Sequence, residues 1–275
     1  MSRLKLTSSN YFSDEANWQY MSASQFKSFR NCEAAAMAEL RGEWERKETT
    51  ALLVGSFIDA YFSDELAQFC AEHPEIYTAK GDLKADFDKA LKAAYRLEKD
   101  KLSRMLLSGR HQVIKTGKIG GVWYKTKIDS LLSSAQVEAI CTEFPEIRRL
   151  VPFGGSMIVD LKYIKDFEPI WDDFAMEKVS FINYWGYDIQ GAIYQKVDKR
   201  SSPFVIVAVT KEAEPNFEAL NIPDLELSAW IGEIEEKSPR YAAIKRGEIE
   251  PVGCGRCAYC RSVKKLTGIR DYMEV

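Results

Sequence analysis

The chain has 275 residues, a formal net charge of −3, 46% hydrophobic and 29% charged residues. That length suits one large domain or two small ones, and the composition is that of an ordinary globular protein rather than a fibrous or disordered one. The longest clean apolar run, FVIVAV at 204–209, has strand length and is far short of a membrane span. The opening segment MSRLKLTSSNYFSDEANW lacks the apolar core of a secretory signal, so a cytosolic protein with no membrane partner is expected.

The net charge gives no general hint of nucleic acid, but its distribution does. Between Lys80 and Asp129 stand 13 Lys and Arg against 6 Asp and Glu, in a chain that is acidic elsewhere. Such a stripe suits a phosphate-facing surface or a solvated helix face.

Taken in chain order, Ser22 or Ser24 is placed to cap a helix that is apolar at helical spacing through Phe26, Phe29, Ala34 and Met37. A second helix, 49–70, is rich in apolar residues around Gly55. It sets Asp59 among Phe57, Ile58 and Tyr61, where a carboxylate needs a cation or a metal. Residues 83–109 read as one long amphipathic helix stopped by Gly109. The period then changes, and 111–116, 121–132 and 156–164 read as three strands, with GKIGG as the first turn. The segment 135–151 reads as an insertion between the second and third strands. A helix over 181–198, a strand over 203–211 and a helical stretch over 224–247, interrupted near Pro239, complete the order. This is an α/β chain with a mixed central sheet flanked by helices, in a single domain over 1–275.

The third strand, SMIVDLKYI, alternates faces, so Asp160 and Lys162 share one side while Val159 and Leu161 share the other. Asp129 ends the preceding strand. Two carboxylates on neighbouring strand ends repel unless a positive group lies between them. A hard divalent ion such as Mg²⁺ or Mn²⁺ would serve, as would Lys162 alone. Gln190 and Tyr194, at i and i+4, share a helix face. They suit either an ordinary polar corner or a pair that fixes water or phosphate.

In this order the motifs GSFID (Gly55 to Asp59), KID (Lys127 to Asp129), DLK (Asp160 to Lys162) and QGAIY (Gln190 to Tyr194) resemble the PD-(D/E)xK nuclease superfamily. The likeness is closer to the RecE-type phage exonucleases. It extends over about residues 20–265, with a core over about 50–215 of restriction-endonuclease type, αβββαβ. Asp59 stands where many relatives have His, and the 135–151 segment lengthens the gap between Asp129 and Asp160. The resemblance implies phosphodiester hydrolysis. Asp129, Asp160 and the Leu161 carbonyl would hold a divalent metal, with Asp59 on the same or a second ion. Lys162 would orient or deprotonate the attacking water, and Gln190 and Tyr194 would position the scissile strand.

Of six cysteines, Cys70 and Cys141 read as packing residues. Cys254, Cys257 and Cys260, at C-x2-C-x2-C spacing in a Gly-rich turn, read as metal ligands. A tetrahedral site needs a fourth, and Cys32 is the candidate. Its SASQFKSFRNC context resembles the first ligand of the iron–sulfur nucleases related to AddB and to the CRISPR adaptation nucleases. There one N-terminal cysteine joins three C-terminal ones around a [4Fe–4S] cluster. Here that arrangement would join the helix at 20–42 to the segment 224–265. Thiolates alone suit zinc as well.

The resemblance implies a metal-dependent DNA exonuclease of phage or prophage recombination, working in the bacterial host cytoplasm. It would resect linear duplex ends 5′ to 3′, hand the 3′ strand to an annealing protein of RecT type, and form a homo-oligomer. A single-strand nuclease like the CRISPR adaptation enzymes, and a catalytically silent DNA-binding module, are the alternatives.

Overall fold

The computed structural model describes residues 3–45, 50–173, 175–200, 202–266, 268, 269, 271 and 273. Helices α1 (Asp14–Gln19), α2 (Ala23–Asn31) and α3 (Glu33–Leu40) come first, followed by α4 (Thr50–Phe62), α5 (Leu66–Glu72), α6 (Ala85–Lys99) and α7 (Lys101–Leu106). Strands β1 (Arg110–Ile119) and β2 (Val122–Leu132) form a hairpin, and α8 (Ser134–Glu143) leads to β3 (Met157–Ile164). A small ribbon, β4 (Ile170–Asp172) and β5 (Glu177–Val179), precedes α9 (Phe181–Trp185) and α10 (Tyr187–Asp198). Strands β6 (Phe204–Thr210) and β7 (Phe217–Ile222), then α11 (Asp224–Lys245) and α12 (Ala258–Ser262), end the order.

The five-stranded sheet runs β1-β2-β3-β6-β7. Only β3 and β6 pair in parallel; the other neighbours are antiparallel. The αβββαβ core expected from the motifs is therefore present, with α10 as the crossover that a parallel pair requires.

Strand alternation splits the core in two. Ile158 on β3 and Phe204, Ile206 and Ala208 on β6 face Phe26, Phe29, Ile193 and Tyr241, from α2, α10 and α11. Val159 and Leu161, with Val205, Val207 and Val209, face Phe57, Phe87, Leu97 and Ile140, from α4, α6 and α8. Both central strands are apolar on both sides, which is why their one polar interruption, Asp160 and Lys162, stands out.

Several expected boundaries move for local reasons. The helix expected over 83–109 is two, because the Asp100 carboxylate caps Ser103 N at 2.8 Å and starts α7 afresh. The helix expected over 181–198 breaks at Gly186, whose φ of +62° only glycine adopts readily. The helix expected through Cys32 also divides there, because the extended Cys32 ends α2 and caps α3. The helix expected over 49–70 divides between α4 and α5. Conversely, α11 runs unbroken through Pro239. That proline cannot donate to the Glu235 carbonyl, and the β1–β2 turn uses the space. A Cβ on Gly120 would lie 2.5 Å from Glu235 O. The turn itself is the pair Gly120-Gly121, with φ of +55° and +79°, a two-residue hairpin loop shorter than the GKIGG turn expected. The segment expected as an insertion holds α8 and a 3₁₀ turn over Pro145–Leu150.

Candidate active site

The β2–β3 ladder runs from Leu132↔Met157 to Ser130↔Val159 and stops. The next residues on the two strands are Asp129 and Asp160, so the acids meet where the strands part. Asp129 Oδ2 accepts a hydrogen bond from Leu161 N at 3.0 Å. Asp160 is 1% exposed, and its Oδ1 accepts from Gln190 Nε2 on α10 at 2.6 Å. Its Oδ2 is buried and accepts no hydrogen bond; the Lys162 ammonium stands against it as an ion pair. Lys162 also reaches the Leu161 carbonyl at 3.4 Å and overlies the Tyr187 ring at 5.0 Å.

Asp59 enters from α4 on the other side of the cleft. Burial pushes its carboxyl up to about 6, Lys162 pulls against that, and Asp160 adds to it. Asp129 is held well above the usual carboxylate range by burial and then by the charges of Asp59 and Asp160. Burial works against the Lys162 ammonium, but Asp160 and Asp129 outweigh it and keep the lysine charged beyond its ordinary range. Three carboxylates thus share one field with too little positive charge nearby, which is the condition a bound cation relieves.

An open cleft of about 1630 Å³ lies beside the acids, walled by α2 and α3 on one side and α4 and α5 on the other, with Asp160 buried behind its lining. Asp59, Asp129, Leu161, Lys162, Gln190 and Tyr194 all line it. Tyr194 differs from the expectation placed on it. Its hydroxyl donates to the Lys127 carbonyl at 3.0 Å, so it ties α10 to β2 instead of pointing free into the cleft. Burial and the nearby tyrosine and carboxylates hold that hydroxyl well above its usual range, so it stays protonated.

The donor set fits a hard divalent ion. All candidate atoms are oxygens, Asp129 and Asp160 meet at the strand ends, and among the described residues the Asp59 carboxylate has no side-chain hydrogen bond. The basic stripe, by contrast, is not one surface. Lys92 pairs with Asp88, Lys101 with Glu143, Lys115 with Asp198, and Arg96 covers Phe217. Among its members Lys125 and Lys127 line the cleft.

Sequence reasoning missed Lys27, Tyr11, Tyr187 and Gln112, all on the cleft lining. Gln112 stands opposite Asp129 with a φ of +52°, a position that costs a non-glycine residue about 1–2 kcal/mol. Nothing in the sequence around it signals that conformation.

Cys32, Cys254, Cys257 and Cys260 form a second site, their sulfurs all within 4.8 Å of one another. Cys32 Sγ lies 3.6 Å from Cys260 Sγ, and Cys254 Sγ lies 4.0 Å from Cys260 Sγ. Backbone N–H groups aim at the sulfurs: Cys254 N at Cys32 Sγ (3.4 Å), Cys257 N at Cys254 Sγ (3.3 Å) and Cys260 N at Cys257 Sγ (3.4 Å). Burial opposes the Cys254 thiolate, but the N–H groups of Arg256 and Cys257 and the neighbouring thiols bring that thiol down to about 6. A tetrahedral ion with Zn–S bonds of about 2.3 Å sets its sulfurs about 3.8 Å apart. The four thiols are placed to share one metal centre, and thiolates suit zinc and iron–sulfur clusters alike.

The chain matches the model of a PDDEXK-like domain of unknown function (DUF3799) over residues 22–139 and 153–263. It is similar to a crystal structure of a "Putative exonuclease" from Eubacterium rectale, with 36% identity, a TM-score of 0.83 and 98% of each chain covered. No curated protein matches it. Among the described residues, no helix is long and apolar enough to cross a membrane.

Proposed function

The chain belongs to the PDDEXK-like family, and from that premise we propose that it is a divalent-metal-dependent deoxyribonuclease that acts on the ends of linear DNA. The observation that carries this reading is the meeting of Asp129 and Asp160 where β2 and β3 part, with Asp59 in the same field and Lys162 paired with Asp160.

In this reading Asp129, Asp160 and the Leu161 carbonyl hold Mg²⁺ or Mn²⁺, with Asp59 completing the set from α4. When bound, the ion lowers the pKa of water and polarises the phosphate oxygens. Lys162, kept charged by its two aspartates, holds the attacking water's oxygen and steadies negative charge as it develops. Gln190 fixes the rotamer of Asp160 and leaves its second oxygen for the ion. Tyr194 holds the strand that carries Asp129, two residues from its own acceptor. The cleft is open to solvent; water forms a new P–O bond as one ester P–O bond breaks, its proton passing to solvent water while the leaving oxygen takes one up.

The closer likeness to RecE-type exonucleases, and the similar E. rectale protein, support end-directed cutting. On the same basis the role is phage or prophage recombination, resecting 5′ to 3′ beside an annealing protein of RecT type. The cysteine site is read as the seat of a structural metal centre, a [4Fe–4S] cluster by the resemblance or a single zinc ion by the close approach of the four sulfurs.

End-labelled linear duplex with Mg²⁺ tests the activity. Wild type is expected to release labelled nucleotides and Asp160→Ala to release none; equal behaviour of the two would leave a DNA-binding module without catalysis. Labels at the 5′ and 3′ ends in separate reactions give the polarity.

A further inference from the structure

Helix α2 brings a second lysine to the edge of the acid centre. Lys27 is half-buried and lines the cleft with Lys162, Tyr187 and Gln190. Its ammonium donates to the Trp185 carbonyl at 2.9 Å. It stands 5.6 Å from the centre of the Tyr187 ring, the same ring that Lys162 overlies at 5.0 Å. Its stem passes the turn between α9 and α10 so closely that a Cβ on Gly186 would lie 2.8 Å from Lys27 Cδ. The fold therefore fixes the path of this side chain.

Of the other lysines nearby, Lys127 lines the cleft and overlies the Phe12 ring at 5.3 Å, and three more are held by hydrogen bonds or an ion pair. Lys125, 1% exposed, donates to the Tyr11 carbonyl and to Asn17 Oδ1. Lys245 donates to Asn17 O at 2.6 Å and Tyr20 O at 2.8 Å. Lys125 clamps the N-terminal segment onto β2 and Lys245 clamps it onto α11. Lys162 is paired with Asp160. Lys27 is half-buried, and the hydrogen bond its ammonium makes among the described residues goes to a single neutral carbonyl. Burial, and then the like charge of Lys162, push its ammonium down to about 8. A cation so placed gains most from an anion, because a charge-assisted bond is roughly twice as strong as the neutral one it gives up.

We propose that Lys27 is a phosphate-binding residue of the cleft. It takes a non-bridging oxygen of a backbone phosphate next to the bond held at Asp129, Asp160 and Lys162, and releases the Trp185 carbonyl to do so. The inference rests on the nuclease reading. The competing role for Lys27 is a purely structural tie between α2 and the α9–α10 turn.

The test compares wild type, Lys27→Gln and Lys27→Arg in the full chain. Binding of a fluorescein-labelled linear duplex is followed by anisotropy with Ca²⁺ in place of Mg²⁺, across a salt series. Cutting kinetics with Mg²⁺ and thermal midpoints accompany it. Lys27→Gln is expected to bind about tenfold more weakly and to lower the slope of log affinity against log salt by about 1. It should raise KM with kcat nearly unchanged and leave the thermal midpoint where it was, and Lys27→Arg should restore the salt slope. An unchanged slope in Lys27→Gln, or a loss of binding matched by a loss of thermal stability, overturns the proposal. If folded wild type neither binds nor cuts the duplex, the nuclease reading itself fails and this assignment goes with it. If wild type cuts and Lys27→Gln is indistinguishable from it, only the assignment of Lys27 fails.

Discussion

Replacing Asp59 by Asn should make the Mg²⁺-free protein more stable while weakening its grip on divalent cations. The carboxylate has no side-chain hydrogen bond among the described residues, so an amide of the same shape forfeits no partner. What it removes is a charge that the fold disfavours. Burial and Asp160 raise this carboxyl from 3.8 to about 6, against the pull of Lys162. At about 1.36 kcal/mol per pH unit, that is roughly 3 kcal/mol as an upper bound, and roughly 1–3 kcal/mol allowing for water in the open cleft. The direction follows from linkage: a carboxyl raised in the folded state binds its proton more tightly there. Its contribution to stability is fully present below pH 3.8 and is lost as pH rises through about 6. The advantage of Asp59→Asn should therefore be absent near pH 4, grow up to about pH 6 and stay level above it. Urea denaturation in Mg²⁺-free buffer across this range reads it as a shift in midpoint with an unchanged slope. Adding Mg²⁺ at ten times its Kd should return about 1.4 kcal/mol to wild type and less to the variant. A variant less stable than wild type at pH 7.5, or a gap that does not change with pH, would refute the account of the charge. Equal stabilisation of both proteins by Mg²⁺ would place Asp59 outside the metal site.

Gln190→Leu removes the one hydrogen bond that orients Asp160; activity at limiting Mg²⁺ should fall about 10–100-fold while the thermal midpoint moves little. Metal analysis of protein purified without added metal should give one zinc per chain and no absorption band near ~400 nm, and Cys257→Ser should abolish the zinc and destabilise the fold. A brown preparation with several irons per chain would instead seat the iron–sulfur cluster there. Gly120→Ala meets both a φ of +55° and the Glu235 carbonyl, whereas Gly121→Ala meets only a φ of +79° with open space around it. The first should cost about 2–4 kcal/mol and the second about 1–2 in urea denaturation.

The acid centre was legible because its chemistry interrupts strong patterns. Asp160 and Lys162 break an apolar strand, Asp129 ends another, and Asp59 sits in an apolar helix; each demands a partner, and the order of four short motifs suggested a common one. The cysteine set was legible for the same reason, since three thiols at close spacing are costly without a metal. What stayed hidden depends on contacts made across the fold. Lys27 looks like any solvent-facing helical lysine until α2 is laid against the α9–α10 turn. Tyr194 looked free because nothing in QGAIY reveals that the Lys127 carbonyl stands opposite its hydroxyl. The helix ends moved where a single side chain decided the matter, as Asp100 did in capping α7. The run through Pro239 persisted because the Gly120 turn packs against the carbonyl that the proline leaves without a donor.

The parallel pairing of β3 with β6 also bears on synthesis. A nascent chain that has emerged as far as residue 200 already carries every acid of the cleft and the lysine beside them. It lacks the strand on which β3 leans and the three C-terminal thiols that draw Cys32 into place. The sheet around the acids is therefore closed only when the residues beyond 203 have been made.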